Sequence, residues 1–541
     1  MKGLKNIKQV FNMKEKYIKN ILFIVPVLIL LIIQIPNLGL PYFWDEAWSY
    51  FPAIKKMAEV GPSLLPGVLP LDLCKGHPQL FFFITAVWMK IFPDNITMMR
   101  ILPLLFSLGV LATIYVGFLK LANRETAIIA TVLISVQSMF LAQSIFLLPE
   151  MLLTLLFVLS FFYFLQNRFI AYAITSSLMI LTKETAIIFP VIFGMFYLFS
   201  LVNPSNREKH RHIYFLSLSI PGFVYAAFLL LHYLKFGVMF YGEHLNYISY
   251  DWATVYEKTK QALSYILVDY GRRFISIAAI VSLVYLLYQR QKIGRLILLG
   301  ILSFIAFMIF SVFNFYTQRY GLVAMVLFII VFSYILGQLR INDLSKAVIT
   351  IGLSAICLYF TFTQKTNSDS DLGYVETIKV HQGLVNYCEE NNLYNDPFAV
   401  TFNMIFCLRD KNLGFVTGKK EFINIMDWKH YQESKYFIYE STMGNPPPEV
   451  NYAKKNFKLV KSVTNKHAWG YIYENTHLQD SINQKPSVAS QERKRKIDVF
   501  INSIKSTPEW LESVRKKAIQ KNISLDSMIL LDAIYMTDEA K

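Results

Sequence analysis

Through residue 363 the chain is a succession of long apolar runs separated by short polar breaks, and beyond it the pattern changes to short alternating runs. The apolar runs lie at Ile21–Ile35 and near 100–119, 126–148, 151–167, 169–184, 186–202, 213–234, 273–289, 296–314, 321–337 and 347–363. Each approaches the length a helix needs to cross the hydrocarbon core, so about eleven spans are expected. The run His77–Phe92 is too short to span comfortably and reads as a juxtamembrane or re-entrant helix.

The polar breaks alternate in charge. Basic ones hold Lys120 with Arg124, Arg168, the cluster Arg207, Lys209 and Arg211, then Arg290, Lys292 and Arg295, and Arg340 with Lys346. Lys and Arg collect in short cytoplasmic loops, which puts the breaks beginning at Asp45, Glu150, Lys183, Lys235, Asn314 and Lys365 outside. That arrangement holds only if His77–Phe92 does not cross. Lys2, Lys5, Lys8, Lys14, Lys16 and Lys19 precede the first run, and no small-residue cleavage site follows it. The N-terminus is therefore expected in the cytoplasm, ahead of an uncleaved first span.

After Gln364, runs at Phe398–Phe402, Tyr436–Glu440, Lys458–Val463 and Trp469–Glu474 read as strands, with a helix near Glu376–Asn391 before them. The chain thus divides into a membrane domain (1–364) whose first outer loop is about 36–99, a small extracytoplasmic α/β domain (365–475), a linker (476–490) and a basic tail (491–541). The tail contains Arg493-Lys494-Arg495-Lys496 and two helix starts, at Thr507-Pro508-Glu509 and Ser524-Leu525-Asp526.

Composition agrees with the pattern. Hydrophobic residues make up 54% of the chain and mean hydropathy is +0.39, leaving too little polar surface for a water-soluble globule. The formal charge of +16 is explained by loop lysines and arginines, so no nucleic-acid partner is inferred. Cys74, Cys357, Cys388 and Cys407 match no zinc or redox spacing. Pairing of Cys388 with Cys407 in an oxidising compartment stays open.

Candidate chemistry gathers on the predicted outer face. Asp45 and Glu46 are adjacent carboxylates between aromatic residues in Tyr42-Phe43-Trp44-Asp45-Glu46-Ala47-Trp48. Acids at a membrane boundary are costly to desolvate and mark function, a solvated loop start being the plainer alternative. Lys75-Gly76-His77-Pro78 offers a cation, a flexible residue and an imidazole beside a helix start, a setting that favours an anion such as phosphate. Taken singly, Lys75 reads as an interfacial lysine and His77 as a cap. Glu150, Lys183 with Glu184, and Arg319 share that face. Arg100, near the start of a span, either faces inward or snorkels. A divalent metal is left open, because Asp45, Glu46 and Glu150 are hard oxygen ligands.

Taken together, the acidic pair, Gly76-His77-Pro78-Gln79-Leu80, Arg100-Ile101-Leu102-Pro103, Glu150 and Lys183-Glu184 resemble the GT-C glycosyltransferases. Within these the chain is similar to the protein O-mannosyltransferase and lipid A aminoarabinose transferase group. The resemblance spans about 15–335 and is strongest over 38–190. It implies a mainly α, polytopic membrane protein that uses a polyprenyl-phosphate-linked sugar, with Asp45 as catalytic carboxylate and Glu46 assisting or orienting it. His77 falls where relatives carry His or Lys near the donor phosphate. Glu150 occupies a position commonly Asp, and Gln79 replaces a frequent second Pro.

From that donor the chemistry follows. The phosphate leaves as an anion, so the site needs a base for the acceptor hydroxyl and positive charge at the leaving group. Asp45 is assigned the first task, and Lys75, His77 and Arg319 the second. The acceptor, whether lipid, glycan or protein, is not specified. Rival readings are a lipid-linked glycan polymerase or ligase, a transporter or flippase, and a non-enzymatic envelope assembly protein.

Overall fold

The computed structural model describes residues 22–200, 211–418, 420–444, 448–476, 488–521 and 525–539. The amino-terminal lysines, Arg207, Lys209 and most of the 476–490 linker lie outside the described residues.

Among the described residues, five helices are long and apolar enough to cross a membrane: Ile96–Leu121, Ile213–Phe236, Arg295–Phe313, Gln318–Gln338 and Asp343–Thr363. Shorter apolar helices at Ile24–Asn37, Leu80–Ile91, Glu150–Leu165, Phe169–Thr182 and Glu184–Ser200 pack among them. Helix Trp252–Leu267 meets Arg272–Tyr288 at 82°. The first of this pair was not anticipated, because its exposed Tyr256, Glu257 and Lys260 interrupt any apolar run.

The run at 126–148 does not form the single span expected of it. Helix Arg124–Ser135 stops, and a short helix, Ser138–Gln143, follows. Gln137 donates to the Leu133 carbonyl, and Thr361 Oγ1 donates at 3.2 Å to the Val136 carbonyl, which the break leaves without a helical partner. One polar residue within the run and one from helix Asp343–Thr363 thus satisfy backbone groups at the interruption, as the membrane interior requires.

Polar contacts sort the breaks into two ends. Lys346 Nζ lies 3.0 Å from Glu125 Oε2, and Gln291 and Arg340 bond across the 289–291 and 338–340 breaks. At the other end Glu46 accepts from Leu147 N at 2.6 Å, and Arg319 pairs with Asp45, Glu150 and Asp369. Helix Leu80–Ile91 begins and ends at this second end. His77 before it touches Glu184, and Trp88 donates to the Met98 carbonyl, two residues from Arg100.

The segment after residue 364 forms a five-stranded sheet in the order β2-β1-β3-β5-β4. The strands are β1 (Phe398–Val400), β2 (Ile425–Asp427), β3 (Tyr436–Glu440), β4 (Lys458–Asn465) and β5 (Ala468–Glu474). β2, β1 and β3 run parallel, while β5 is antiparallel to β3 and β4. β2 has only three residues and no alternating run to betray it, and the strand expected to reach Phe402 yields there to helix Phe402–Arg409. Helix Tyr374–Glu390 covers one face, where Gly383 and Gly470 admit Val463 and Leu384 closely. Cys388 and Cys407 are buried free thiols. Both helix starts in the tail are realised, as Pro508–Lys521 and Leu525–Glu539, and a further helix, Val488–Ser506, precedes them. The basic run 493–496 lies within this further helix.

Candidate active site

The loop after the first apolar helix turns sharply at Trp44, whose φ of 50° is left-handed. Non-glycine residues adopt that conformation only where surrounding contacts enforce it. Here the Trp44 indole donates to the Asn367 carbonyl, and Tyr42 N donates at 3.0 Å to the Leu413 carbonyl. The two acids follow the turn on helical backbone, where successive side chains leave on different sides. Glu46 is fully buried, taking Arg100 Nη2 at 2.9 Å, Phe43 N at 3.1 Å and Leu147 N at 2.6 Å. Arg100 faces inward and spends its remaining donors on the carbonyls of Leu40, Pro41 and Ile145.

Asp45 stays partly open, its side chain 23% exposed. Oδ1 accepts from Trp48 Nε1 at 2.7 Å, and Oδ2 accepts from Arg319. Burial pushes the Asp45 carboxyl up, but Arg319, the Trp48 N–H and Lys75 together hold it below the usual carboxylate value.

Arg319 is the hub. Its guanidinium also donates to Asp369, and its Nε lies 3.6 Å from Glu150 Oε1. Glu150 is bonded by Lys183 Nζ at 3.1 Å, and that ammonium sits 3.3 Å from the Tyr320 ring centroid. Glu150 Oε2 is buried without a partner.

The proposed phosphate ligands divide between two acids, Lys75 and Arg319 acting on Asp45 and His77 bonding Glu184. Lys75, left-handed at φ 48°, places its ammonium 3.2 Å from the Trp48 ring centroid. Burial lowers the Lys75 pKa against the pull of Asp45. With Gly76 at φ 74°, the backbone swings His77 the other way, where Nδ1 donates to Glu184 at 3.0 Å. His77 and Glu184 line a cavity of about 390 Å³ that Lys183, His244, Tyr241 and Tyr320 also face, its walls otherwise mostly Phe, Leu and Ile.

Among the described residues, one group of His, Cys, Asp or Glu side chains is close enough to hold a metal. It is His77, Glu184 and His244, with ligand atoms within 4.8 Å of one another. Burial and His77 lower the His244 pKa to about 4, which leaves the neutral imidazole that a metal needs. Asp45, Glu46 and Glu150, the oxygen set suggested by sequence, are instead committed to Arg319, Arg100 and Lys183.

Sequence reasoning missed three participants. Asp369 hides in the polar run Asn367-Ser368-Asp369-Ser370-Asp371, His244 is a lone histidine in a loop, and Trp48 reads only as an aromatic flanking the carboxylates, not as a hydrogen-bond donor to one of them. Only proximity to Arg319, His77 and Asp45 distinguishes them.

The helical membrane bundle with its appended sheet has the GT-C fold of membrane glycosyltransferases. The chain superposes on ArnT from Cupriavidus metallidurans bound to undecaprenyl phosphate with a TM-score of 0.53 at 12% identity, covering 83% of this chain and 97% of that one. The apo form of that protein superposes with a TM-score of 0.52 at 11% identity, over the same shares. Residues 76–229 match the family described as dolichyl-phosphate-mannose-protein mannosyltransferase. That stretch holds His77, Arg100, Glu150, Lys183 and Glu184 but neither Asp45 nor Arg319. Comparison with curated protein sequences gave no match.

Proposed function

We propose that the protein transfers a sugar from a polyprenyl-phosphate carrier to an acceptor hydroxyl on the extracytoplasmic face, with the N-terminus and basic loops in the cytoplasm. The observation carrying this reading is the position of Asp45. It is the more open carboxylate of the pair, fixed by Arg319 and Trp48, on the same polar end as an apolar cavity with cations at its head. The binding of undecaprenyl phosphate by ArnT, whose fold this chain shares, supports a polyprenyl carrier.

In this reading the carrier's chain lies along the cavity's Phe, Leu and Ile walls, with its phosphate toward Lys183 and His77. Lys75 and Arg319 add positive potential from the Asp45 side. Asp45 is ionised at neutral pH and takes the acceptor proton late, as the sugar–oxygen bond forms and the sugar–phosphate bond breaks. The electron pair leaves with the phosphate, and one displacement inverts the anomeric carbon. Glu46 and Arg100 hold the loop that presents Asp45. If a divalent ion occupies His77, Glu184 and His244, it would add positive charge at the cavity.

The test is transfer from a synthetic polyprenyl-phosphate sugar by the purified protein in lipid vesicles, with the product's anomeric configuration read by NMR. Inverted product and release of polyprenyl phosphate are expected, both lost in Asp45→Asn. Retained configuration, or unaltered turnover in that variant, contradicts the mechanism.

A further inference from the structure

Arg319 donates through Nη2 to Asp45, through Nη1 to Asp369, and turns Nε toward Glu150. Three carboxylates therefore face one guanidinium, with Lys183 as the additional cation on Glu150. A guanidinium shared in this way is not fully available to any one partner, because each added negative charge offsets part of its field at the others. Asp369 and Asp45 occupy its two terminal nitrogens, so they compete most directly.

Asp369 is also built in. It is 4% exposed, and its backbone carbonyl accepts from Gln143 Nε2 at 2.7 Å. The next residue's carbonyl accepts from Tyr265 OH at 2.7 Å. Asp371 is bonded by Tyr270 OH and Thr366 Oγ1, both at 2.6 Å. Asn367 completes the strap, accepting the Trp44 indole through its carbonyl and donating to the Ser441 carbonyl of the sheet domain. This strap leaves the last membrane helix, crosses the catalytic loop and enters the sheet domain. The segment joining the membrane and sheet domains thereby carries a charge to within one guanidinium of Asp45.

We infer that Asp369 is a positioning residue that keeps Asp45 basic by holding Arg319 away from full pairing with it. The inference rests on the reading of Asp45 as the base. Removing the Asp369 charge lets Arg319 bear wholly on Asp45, which lowers its affinity for a proton and weakens it as a base. Burial already pushes the Asp369 carboxyl up against the pull of Arg319, and the negative charge of Asp45 adds to that push, so Asp45 bears on Asp369 across the shared guanidinium. The other groups facing this pair are Lys75, Trp48, Glu150, Tyr50 and Tyr320, and they are unchanged by a substitution at 369.

The experiment is single-turnover transfer after a pH jump, with full-length protein in vesicles loaded with a polyprenyl-phosphate sugar at pH 7 and jumped to values between about 3 and 6. Asp369→Asn is expected to move the acid limb to lower pH and reduce the plateau by roughly three- to tenfold, a Brønsted effect. Asp369→Glu, which retains the charge, should restore both. If Asp369→Asn fails to fold, Gln143→Ala loosens the strap with its charge intact and should shift the limb in the same direction. A limb that stays in place or moves up in the folded variant, whatever happens to the plateau, overturns the inference and leaves Asp369 a structural residue. Asp45→Asn is measured alongside: normal turnover there defeats the base assignment itself, whereas its loss with an unmoved Asp369→Asn limb defeats the inference alone.

Discussion

Asp45 and Glu46 adjoin in the chain yet live in opposite surroundings. Glu46 is sealed against Arg100 and two backbone N–H groups, with no exposed surface. Asp45 keeps an open edge and shares its cation with two other acids. A saturated buried pair fixes a loop, because breaking it strands a charge in a medium that cannot solvate it. A partly open pair with a contested cation is free to exchange protons. One step along the helical turn that follows Trp44 separates the two fates.

The contrast predicts effects of different kinds. Arg100→Ala leaves Glu46 buried without its cation and should cost about 3–5 kcal/mol of stability, read as a lowered midpoint in thermal unfolding of the detergent-solubilised protein. Loss of activity without loss of stability would contradict a bracing role. Arg319→Gln strands the buried Asp369 and should lower the midpoint too, but its folded fraction should in addition lose about 10²–10³ in single-turnover rate, as expected for a lost charge-stabilising donor. If the two variants have the same profile, the distinction between brace and hub disappears.

A gentler probe addresses the cavity. Zinc titrated into purified protein should bind through His77, Glu184 and His244, and His244→Ala should weaken it by more than the roughly ten- to hundredfold that loss of an outer-shell partner costs. Equal binding by wild type and variant would remove His244 from the set. The smallest effect concerns acid. The Asp45 carboxyl is held below its ordinary value, so its ion pair contributes stability above the unfolded carboxylate pKa, and that contribution is lost as pH falls through the folded value. Asp45→Asn should therefore narrow the gap in unfolding midpoint between neutral and strongly acid solution while leaving the interval from about pH 5 to 8 flat. A slope within that interval that vanishes in the variant would show the carboxyl to be raised instead.

Much of the site was legible because membrane sequences tolerate few charges. Asp45, Glu150, Lys183, Glu184 and Arg319 stand at the ends of apolar runs, and a common face followed from the basic loops opposite. Their pairings were not legible. Whether Arg319 meets Asp45 or Glu150 depends on how helices separated by more than 150 residues pack, and Lys75 and His77 part company through backbone dihedrals that no motif displays. Asp369 sits among polar neighbours, where one more acid carries no signal. The fold was read well where periodicity was long and poorly where short elements depend on tertiary partners, as at β2 and the break after Ser135.

The most direct test of the contrast is a paired measurement on Asp45→Asn and Glu46→Gln, recording single-turnover transfer from a polyprenyl-phosphate sugar and thermal unfolding on the same samples. Asp45→Asn should lose about 10²–10⁴ in rate with a near-normal unfolding midpoint, and Glu46→Gln should lose stability while its folded fraction retains most of the rate. Wild-type turnover in folded Asp45→Asn, or a catalytic defect confined to stably folded Glu46→Gln, would contradict the account.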